Sequence, residues 1–178
     1  MSLGLYLHIP YCFSKCRYCD FYSHPGERGV PEAYVDALLR ELSRFAPGAP
    51  LRPDTLYFGG GTPSLLRPEQ AKRLIDAARP MPGAEITLEA NPETVTEESL
   101  AGFREAGVNR ISFGVQSARD TQLRTLGRPH TAKQARAAFA AARRAGFANI
   151  SGDIMLALPH YTEAEFDETL ELIEGGGA

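Results

Sequence analysis

Strand-like and helix-like segments alternate along this chain, and the alternation is the strongest constraint on its fold. Apolar residues at every second position predict strands at 3–9, 55–58, 85–89, 110–116 and 149–155. Apolar residues three and four positions apart predict helices at 31–45, after Pro68, and after the capping residues Thr96, Thr131 and Thr162. Strand–helix units in series favour a parallel sheet with right-handed crossovers, and therefore an α/β fold.

The strand patterns have one apolar face and one polar, small-residue face. In 110–116, for example, Ser112, Gly114 and Gln116 share the polar face. Two-faced strands favour a curved sheet around a ligand-filled interior over an open, doubly wound sheet with apolar central strands. A complete eight-unit barrel takes about 250 residues. We therefore expect a partial (βα) barrel with about five βα units.

The end of the sequence suggests that the barrel continues beyond it. The last predicted helix runs into the glycines at 175–177, and no further strand pattern follows. We expect residues 1–178 to form one core domain that lacks a C-terminal strand and a C-terminal domain. The strand at 149–155 would then be an exposed edge.

All three cysteines of the chain lie within eight residues, as Cys12, Cys16 and Cys19. A C-x3-C-x2-C spacing this short brings the thiolates to one centre, and the absence of a fourth cysteine leaves one position of that centre open. A four-iron cluster with one open iron would bind a small molecule there. The alternative is a structural zinc site completed by His8 or His24. Spacing alone does not decide between the iron–sulfur cluster and the zinc site.

Polar residues at the ends of several strands predict a ligand pocket. Three glycines at 59–61 precede Thr62 and allow close approach of a ligand to the backbone, although they match neither a P-loop nor a dinucleotide fingerprint. Glu89, Gln116 and Asp153 end three strands on the polar face, where barrel enzymes gather ligand groups. Such groups would hold hydroxyls and an ammonium group, and Arg128 would pair with a carboxylate.

Charge and hydropathy narrow the class of partner. A net charge of −3 gives no electrostatic case for binding nucleic acid or an anionic membrane. No segment approaches the roughly 18 apolar residues of a membrane span. Clustered thiols that hold metal are typical of reducing compartments, so we expect a cytoplasmic protein.

Seven motifs resemble, in order, those of the coproporphyrinogen dehydrogenase-like family of the radical S-adenosylmethionine (SAM) superfamily. They are LYLHIPYC at 5–12, CRYCDF at 16–21, GGGTPS at 59–64, EANPE at 89–93, GVQS at 114–117, LGR at 126–128 and DIMLALP at 153–159. The resemblance implies a [4Fe-4S] cluster on Cys12, Cys16 and Cys19, with S-adenosylmethionine on the open iron. It implies that Tyr6 and Tyr18 flank the cluster and cofactor. It also implies a cofactor pocket formed by Gly60, Gly61 and Thr62 at the methionine end and completed by Glu89, Gln116, Arg128 and Asp153.

One position separates two branches of this family. The dehydrogenases, which oxidatively decarboxylate coproporphyrinogen III, carry a further cysteine two residues after the third, where this chain has Phe21. Cys19-Asp20-Phe21 instead resembles the HemW-type heme chaperones, which bind heme through a C-terminal region and deliver it to apo-haemoproteins. The resemblance thus favours the core of a heme chaperone, with heme bound by a longer protein. The alternatives are a porphyrinogen oxidase and a non-catalytic zinc-stabilised domain, and whether the chain is an enzyme remains open.

Overall fold

The computed structural model describes residues 2–26, 28–45, 47, 50–158 and 161–176, so Pro159 of the last motif lies outside the described residues. Within these ranges, seven strands form two parallel sheets: β1 (Gly4–Ile9), β2 (Tyr11–Cys12), β3 (His24–Pro25), β4 (Thr55–Gly60), β5 (Glu85–Ala90), β6 (Arg110–Gln116) and β7 (Asn149–Ile154). The main sheet has the order β1-β4-β5-β6-β7, and β2 pairs with β3 inside the cysteine loop. The predicted parallel α/β sheet is therefore confirmed, and β7 is an edge strand as expected.

Helices follow the main strands, and all but α4 lie at the predicted places. They are α1 (Glu32–Phe45), α2 (Pro68–Ala78), α3 (Glu97–Ala106), α4 (Asp120–Leu126), α5 (Ala132–Arg144) and α6 (Glu163–Gly175). The side chains of Thr96, Thr131 and Thr162 accept the backbone N–H three residues further on and cap α3, α5 and α6. These contacts explain why the three helices begin where the sequence predicts. No described helix is both long and apolar enough to cross a membrane.

The apolar faces of the strands form the core beneath the helices. Leu56, Phe58 and Ile111 are fully buried there, and Phe113 packs against Phe139 of α5 with ring centroids 5.2 Å apart. The opposite face carries the polar residues, as the period-two pattern predicts. Its carboxyl end is partly open, but Thr87 and Ser112 are buried at 1% and 3% exposure and hydrogen-bond to Arg110 and Asp153. The interior is therefore less open than the sequence suggests.

Candidate functional site

One cavity at the carboxyl ends of the strands collects the predicted site residues. Those that line it are Cys12, Cys16, Tyr18, Cys19, Gly60, Gly61, Thr62, Glu89, Gln116, Arg128 and Asp153. Tyr6 does not line it. The cysteine loop forms one wall and the ends of β4 to β7 form the other, as expected for a ligand site at the carboxyl end of a partial barrel.

One backbone hydrogen bond closes the cysteine loop and another ties its middle to the end of α4. His24 N donates to Pro10 O at 2.7 Å and closes the loop, and Arg17 N donates to Leu126 O at 2.9 Å. All three cysteines are free thiols, with Cys12 buried and the other two partly exposed. The loop thus presents three sulfurs to the cavity.

The arrangement does not support the zinc alternative. Among the residues that the structure describes, no three His, Cys, Asp or Glu side chains are grouped closely enough to hold one metal ion. His8 is also engaged, because its Nδ1 lies 3.1 Å from Tyr6 Oη and its Nε2 lies 3.1 Å from Tyr22 O. A zinc ion needs four ligands within about 2.0–2.3 Å. A four-iron cluster binds each cysteine at a different iron, so its three sulfurs do not have to meet on one ion.

Two hydrogen-bond donors point at the sulfurs. Thr62 Oγ1 donates to Cys12 Sγ at 3.5 Å, and Arg128 Nη1 donates to Cys16 Sγ at 3.4 Å. Arg128 Nη2 also donates to Gly114 O and to Asn91 Oδ1. The buried Arg128 Nε has no hydrogen-bond partner among the described residues. The site thus has donors for thiolate sulfur and one buried donor left over for an anionic ligand.

Burial and neighbouring groups together set the pKa values of Arg128 and Tyr18. Burial alone would lower the pKa of Arg128, but the neighbouring Tyr18 and Cys16 outweigh it and raise that pKa. Burial raises the pKa of Tyr18 to about 12, against the opposing effect of the Arg128 charge. At neutral pH the wall therefore carries a cationic guanidinium beside a neutral phenol, which complements thiolate charge.

The glycine run brings the end of β4 against the cysteine strand. A Cβ atom on Gly61 would lie 2.7 Å from Tyr11 O and 3.0 Å from Cys12 Sγ. Gly61 N donates to Ile9 O at 2.9 Å, which fixes this approach. Gly60 has φ of 116°, a conformation that side-chain-bearing residues rarely adopt. The run is therefore required for contact between barrel and cysteine loop.

Glu89 is held by both of its carboxylate oxygens. Tyr57 Oη donates to Oε1 at 2.8 Å, and Gly60 N donates to Oε2 at 3.1 Å. Burial nevertheless raises the pKa of Glu89, since it outweighs the opposing effect of these hydrogen bonds. A cation in the cavity would favour its ionised form.

Asp153 is oriented by a relay of hydroxyl groups along the polar face. Arg110 Nη2 donates to Ser151 Oγ at 2.9 Å, Ser151 Oγ donates to Ser112 Oγ at 2.9 Å, and Ser112 Oγ donates to Asp153 Oδ1 at 3.2 Å. Each hydroxyl accepts one bond and donates the next. The relay leaves the other carboxylate oxygen of Asp153 for a ligand.

Gln116 reaches the cavity through an irregularity at the end of β6. The pairing register with β7 shifts between Gly114 and Gln116, and Gln116 has φ of 68°. Such a bulge redirects the side chain that follows it. The left-handed backbone of Gln116, uncommon outside glycine, thus lies at the site itself.

Tyr6 lies on the polar face of the main sheet but outside the cavity. Its side chain is 54% exposed, and its ring stacks on Tyr57 with centroids 6.1 Å apart. Tyr57 in turn donates to Glu89 and so links Tyr6 to the site. Burial raises the pKa of Tyr6, with a smaller contribution from Glu89.

Sequence reasoning missed Asn91, Ser112 and Tyr57, although the first two line the cavity. Period-two spacing had already placed Ser112 on the polar face without naming it as a site residue, and it would have added Asn91, which follows Glu89 by two positions. Tyr57 also follows the strand period, but only the structure reveals its bond to Glu89.

Family membership follows from comparison with known proteins. The family model of the Radical SAM superfamily matches residues 6–173, and the chain belongs to this superfamily. Its members bind a [4Fe-4S] cluster and S-adenosylmethionine. The family resemblance inferred from the motifs is therefore confirmed.

Two curated relatives are heme chaperones of the HemW branch, and a solved structure similar to the chain is that of an oxidase. The chain is similar to the heme chaperone HemW of Haemophilus influenzae (40% identity; 97% of this chain, 48% of the relative). It is similar to HemW of Escherichia coli (43% identity; 88% of this chain, 43% of the relative). Coproporphyrinogen III oxidase HemN of E. coli, described as a radical SAM enzyme, superposes with a TM-score of 0.84 at 31% identity (96% of this chain, 41% of HemN). The chain thus spans less than half the length of each of these proteins.

Proposed function

We propose that this chain is the radical SAM core of a heme chaperone. The observation that carries the proposal is one cavity that joins three free cysteines, donors to two of their sulfurs and polar strand ends. The similarity to the HemW proteins supports the chaperone branch. Phe21 supports it too, because the dehydrogenase branch has a cysteine there.

In this proposal Cys12, Cys16 and Cys19 hold a [4Fe-4S] cluster and leave one iron for S-adenosylmethionine. The residues fit, because the thiols are free and hydrogen bonds from Thr62 and Arg128 stabilise thiolate sulfur. When bound and reduced, the cluster supplies the electron that cleaves S-adenosylmethionine. The chain itself would orient the sulfurs through the bonds from Thr62 and Arg128.

The cofactor pocket is proposed on the opposite wall. Gly60, Gly61 and Thr62 would contact the methionine end of S-adenosylmethionine, where their backbone can approach closely. The unused Nε of Arg128 would donate to the cofactor carboxylate. Glu89 and Asp153, assisted by Gln116, would accept from the ammonium and hydroxyl groups. Tyr18 flanks this space directly, whereas Tyr6 would act from outside it through Tyr57.

Heme delivery is proposed for a longer protein that contains this core. Its partners would be heme and an apo-haemoprotein acceptor. The free cysteines, which need reducing conditions to hold a cluster, favour the cytoplasm.

A porphyrinogen oxidase is the second candidate, and the structural similarity to HemN favours it. Two assays on a longer protein that contains this core separate the candidates: heme titration followed by absorption, and anaerobic turnover of coproporphyrinogen III. Stoichiometric heme binding without turnover supports the chaperone, and turnover contradicts it.

The cluster assignment is tested on this chain alone. After anaerobic reconstitution we expect about four irons and four sulfides per chain, and a large loss of both in Cys16→Ser. An exposed-serine variant, Ser43→Ala, is the matched control. Tight stoichiometric zinc without iron would contradict the proposal.

A further inference from the structure

An unbroken chain of polar side chains links two of the cysteine sulfurs. Thr62 Oγ1 donates to Cys12 Sγ and Arg128 Nη1 donates to Cys16 Sγ. Asn91 lies between these two donors: its Oδ1 accepts from Arg128 Nη2 at 2.8 Å, and its Nδ2 donates to Thr62 Oγ1 at 3.2 Å. Asn91 therefore contacts both groups that bond to sulfur, while making no sulfur contact among its hydrogen bonds.

The donor and acceptor roles in this chain are determined by Arg128. A guanidinium only donates, so the Asn91 atom that faces it must be the carbonyl oxygen. The Asn91 amide must then donate to Thr62, because the reverse orientation would oppose two donors. Thr62 Oγ1 accepts this bond and has its hydroxyl hydrogen free for Cys12 Sγ. Asn91 thus determines where the Thr62 hydroxyl hydrogen points.

We propose that Asn91 is a positioning residue that aligns Thr62 and Arg128 on the cysteine sulfurs and thereby raises the reduction potential of the cluster. The inference rests on the proposed function, since it requires the cluster to be held by these cysteines. Hydrogen bonds to cluster sulfurs are one of the protein's controls on potential. They raise it because the reduced cluster carries more negative charge and attracts the donors more strongly.

The first test compares Asn91→Ala with the wild-type chain, both reconstituted anaerobically without S-adenosylmethionine. The midpoint potential is measured by a redox titration followed by electron paramagnetic resonance (EPR). We expect the reduction equilibrium constant of the variant to be about tenfold smaller than that of the wild type. For one electron this is a midpoint potential about 59 mV more negative. Asn149→Ala, at an exposed position at the start of β7, is the control and should be unchanged. An Asn91→Ala cluster with the wild-type potential would overturn the inference.

The second test separates alignment of Thr62 from a general structural effect. Thr62→Val removes the donor to Cys12, and Thr62→Ser keeps it, so only the valine variant should shift the potential. If Asn91 acts partly through Thr62, its effect is smaller in the Thr62→Val background than in the wild type. An equal effect in both backgrounds contradicts the inference.

If Asn91→Ala retains no cluster, the variants Thr62→Val and Thr62→Ser still test the inference. Equal potentials for Thr62→Val and Thr62→Ser would then reject the inference, and a shift in the valine variant alone would support it. A wild-type chain without any cluster would reject the proposed function itself, and with it this inference.

Discussion

Arg128 Nη1 donates a hydrogen bond to Cys16 Sγ across 3.4 Å, although the two residues are 112 positions apart in the sequence. The connection is reinforced by the backbone bond from Arg17 N to Leu126 O. The last residue of α4 and the segment after it therefore hold the cysteine loop in place. The geometry of the three cysteines depends on this long-range contact as well as on their spacing.

Replacing Arg128 should destabilise the apo-protein. Arg128→Met keeps most of the side-chain volume but removes the bonds to Gly114 O, Asn91 and Cys16. We expect a loss of about 3 kcal/mol in the free energy of unfolding, because buried acceptors lose their donor. Urea denaturation measures it. Arg136→Met, at an exposed position on α5, is the control and should change stability by less than about 0.5 kcal/mol. Equal stability of the two variants would show that the buried bonds contribute nothing.

A methyl group on Gly61 should separate the barrel from the cysteine loop. In Gly61→Ala the new Cβ would meet Tyr11 O at 2.7 Å, so the backbone must move. We expect a lower melting temperature and reduced iron content after reconstitution. Gly29→Ala is the matched control, because a Cβ atom at that position would meet nothing within 4 Å. Full iron loading of Gly61→Ala would contradict this explanation of the glycine run.

Loss of the Ser112 hydroxyl should weaken cofactor binding. Ser112→Ala breaks the relay from Arg110 to Asp153, whose carboxylate then loses its fixed orientation. The affinity of the reconstituted chain for S-adenosylmethionine should fall by about twofold to tenfold, the usual range for one hydrogen bond. Anaerobic calorimetry measures it, with Ser43→Ala as control. Unchanged affinity would mean that Asp153 needs no support from the relay.

The raised pKa of Glu89 predicts a specific pH dependence of stability. Since burial raises this pKa above the ordinary 4.5, folding favours the protonated carboxyl. That contribution is complete below pH 4.5 and is lost as the pH rises through the raised pKa. The unfolding free energy of the wild-type apo-protein minus that of Glu89→Gln should therefore decrease with rising pH. Urea titrations of both proteins at several pH values measure the difference, with Glu174→Gln as an exposed control. A difference that increases with pH would show that the tyrosine and backbone bonds outweigh burial.

Local patterns in the sequence predict much of the fold. Period-two spacing identifies β6 with its observed bounds, and Thr96 caps α3 as expected. Helix α4 was missed, because seven residues are too few for a periodic signal and such short helices depend on tertiary packing.

The lining of the cavity was predictable where a motif or a strand end marked it, and the binding roles of those residues stay predictions. The cysteines and the residues at the ends of β4 to β7 line the cavity as expected. The role of Asn91 was not predictable, because it depends on the distances to Arg128 and Thr62. The position of Tyr6 outside the cavity was not predictable either. Period-two spacing assigns a residue to a face of the sheet, but that face includes both the cavity wall and the exposed surface around it.

The central claim is that Cys12, Cys16 and Cys19 hold a four-iron cluster with one iron open to S-adenosylmethionine. The most direct test is EPR of the anaerobically reconstituted and reduced chain, with and without S-adenosylmethionine. The account predicts a [4Fe-4S] signal that changes when the cofactor is added. A cluster signal that the cofactor leaves unchanged would contradict the open-iron assignment.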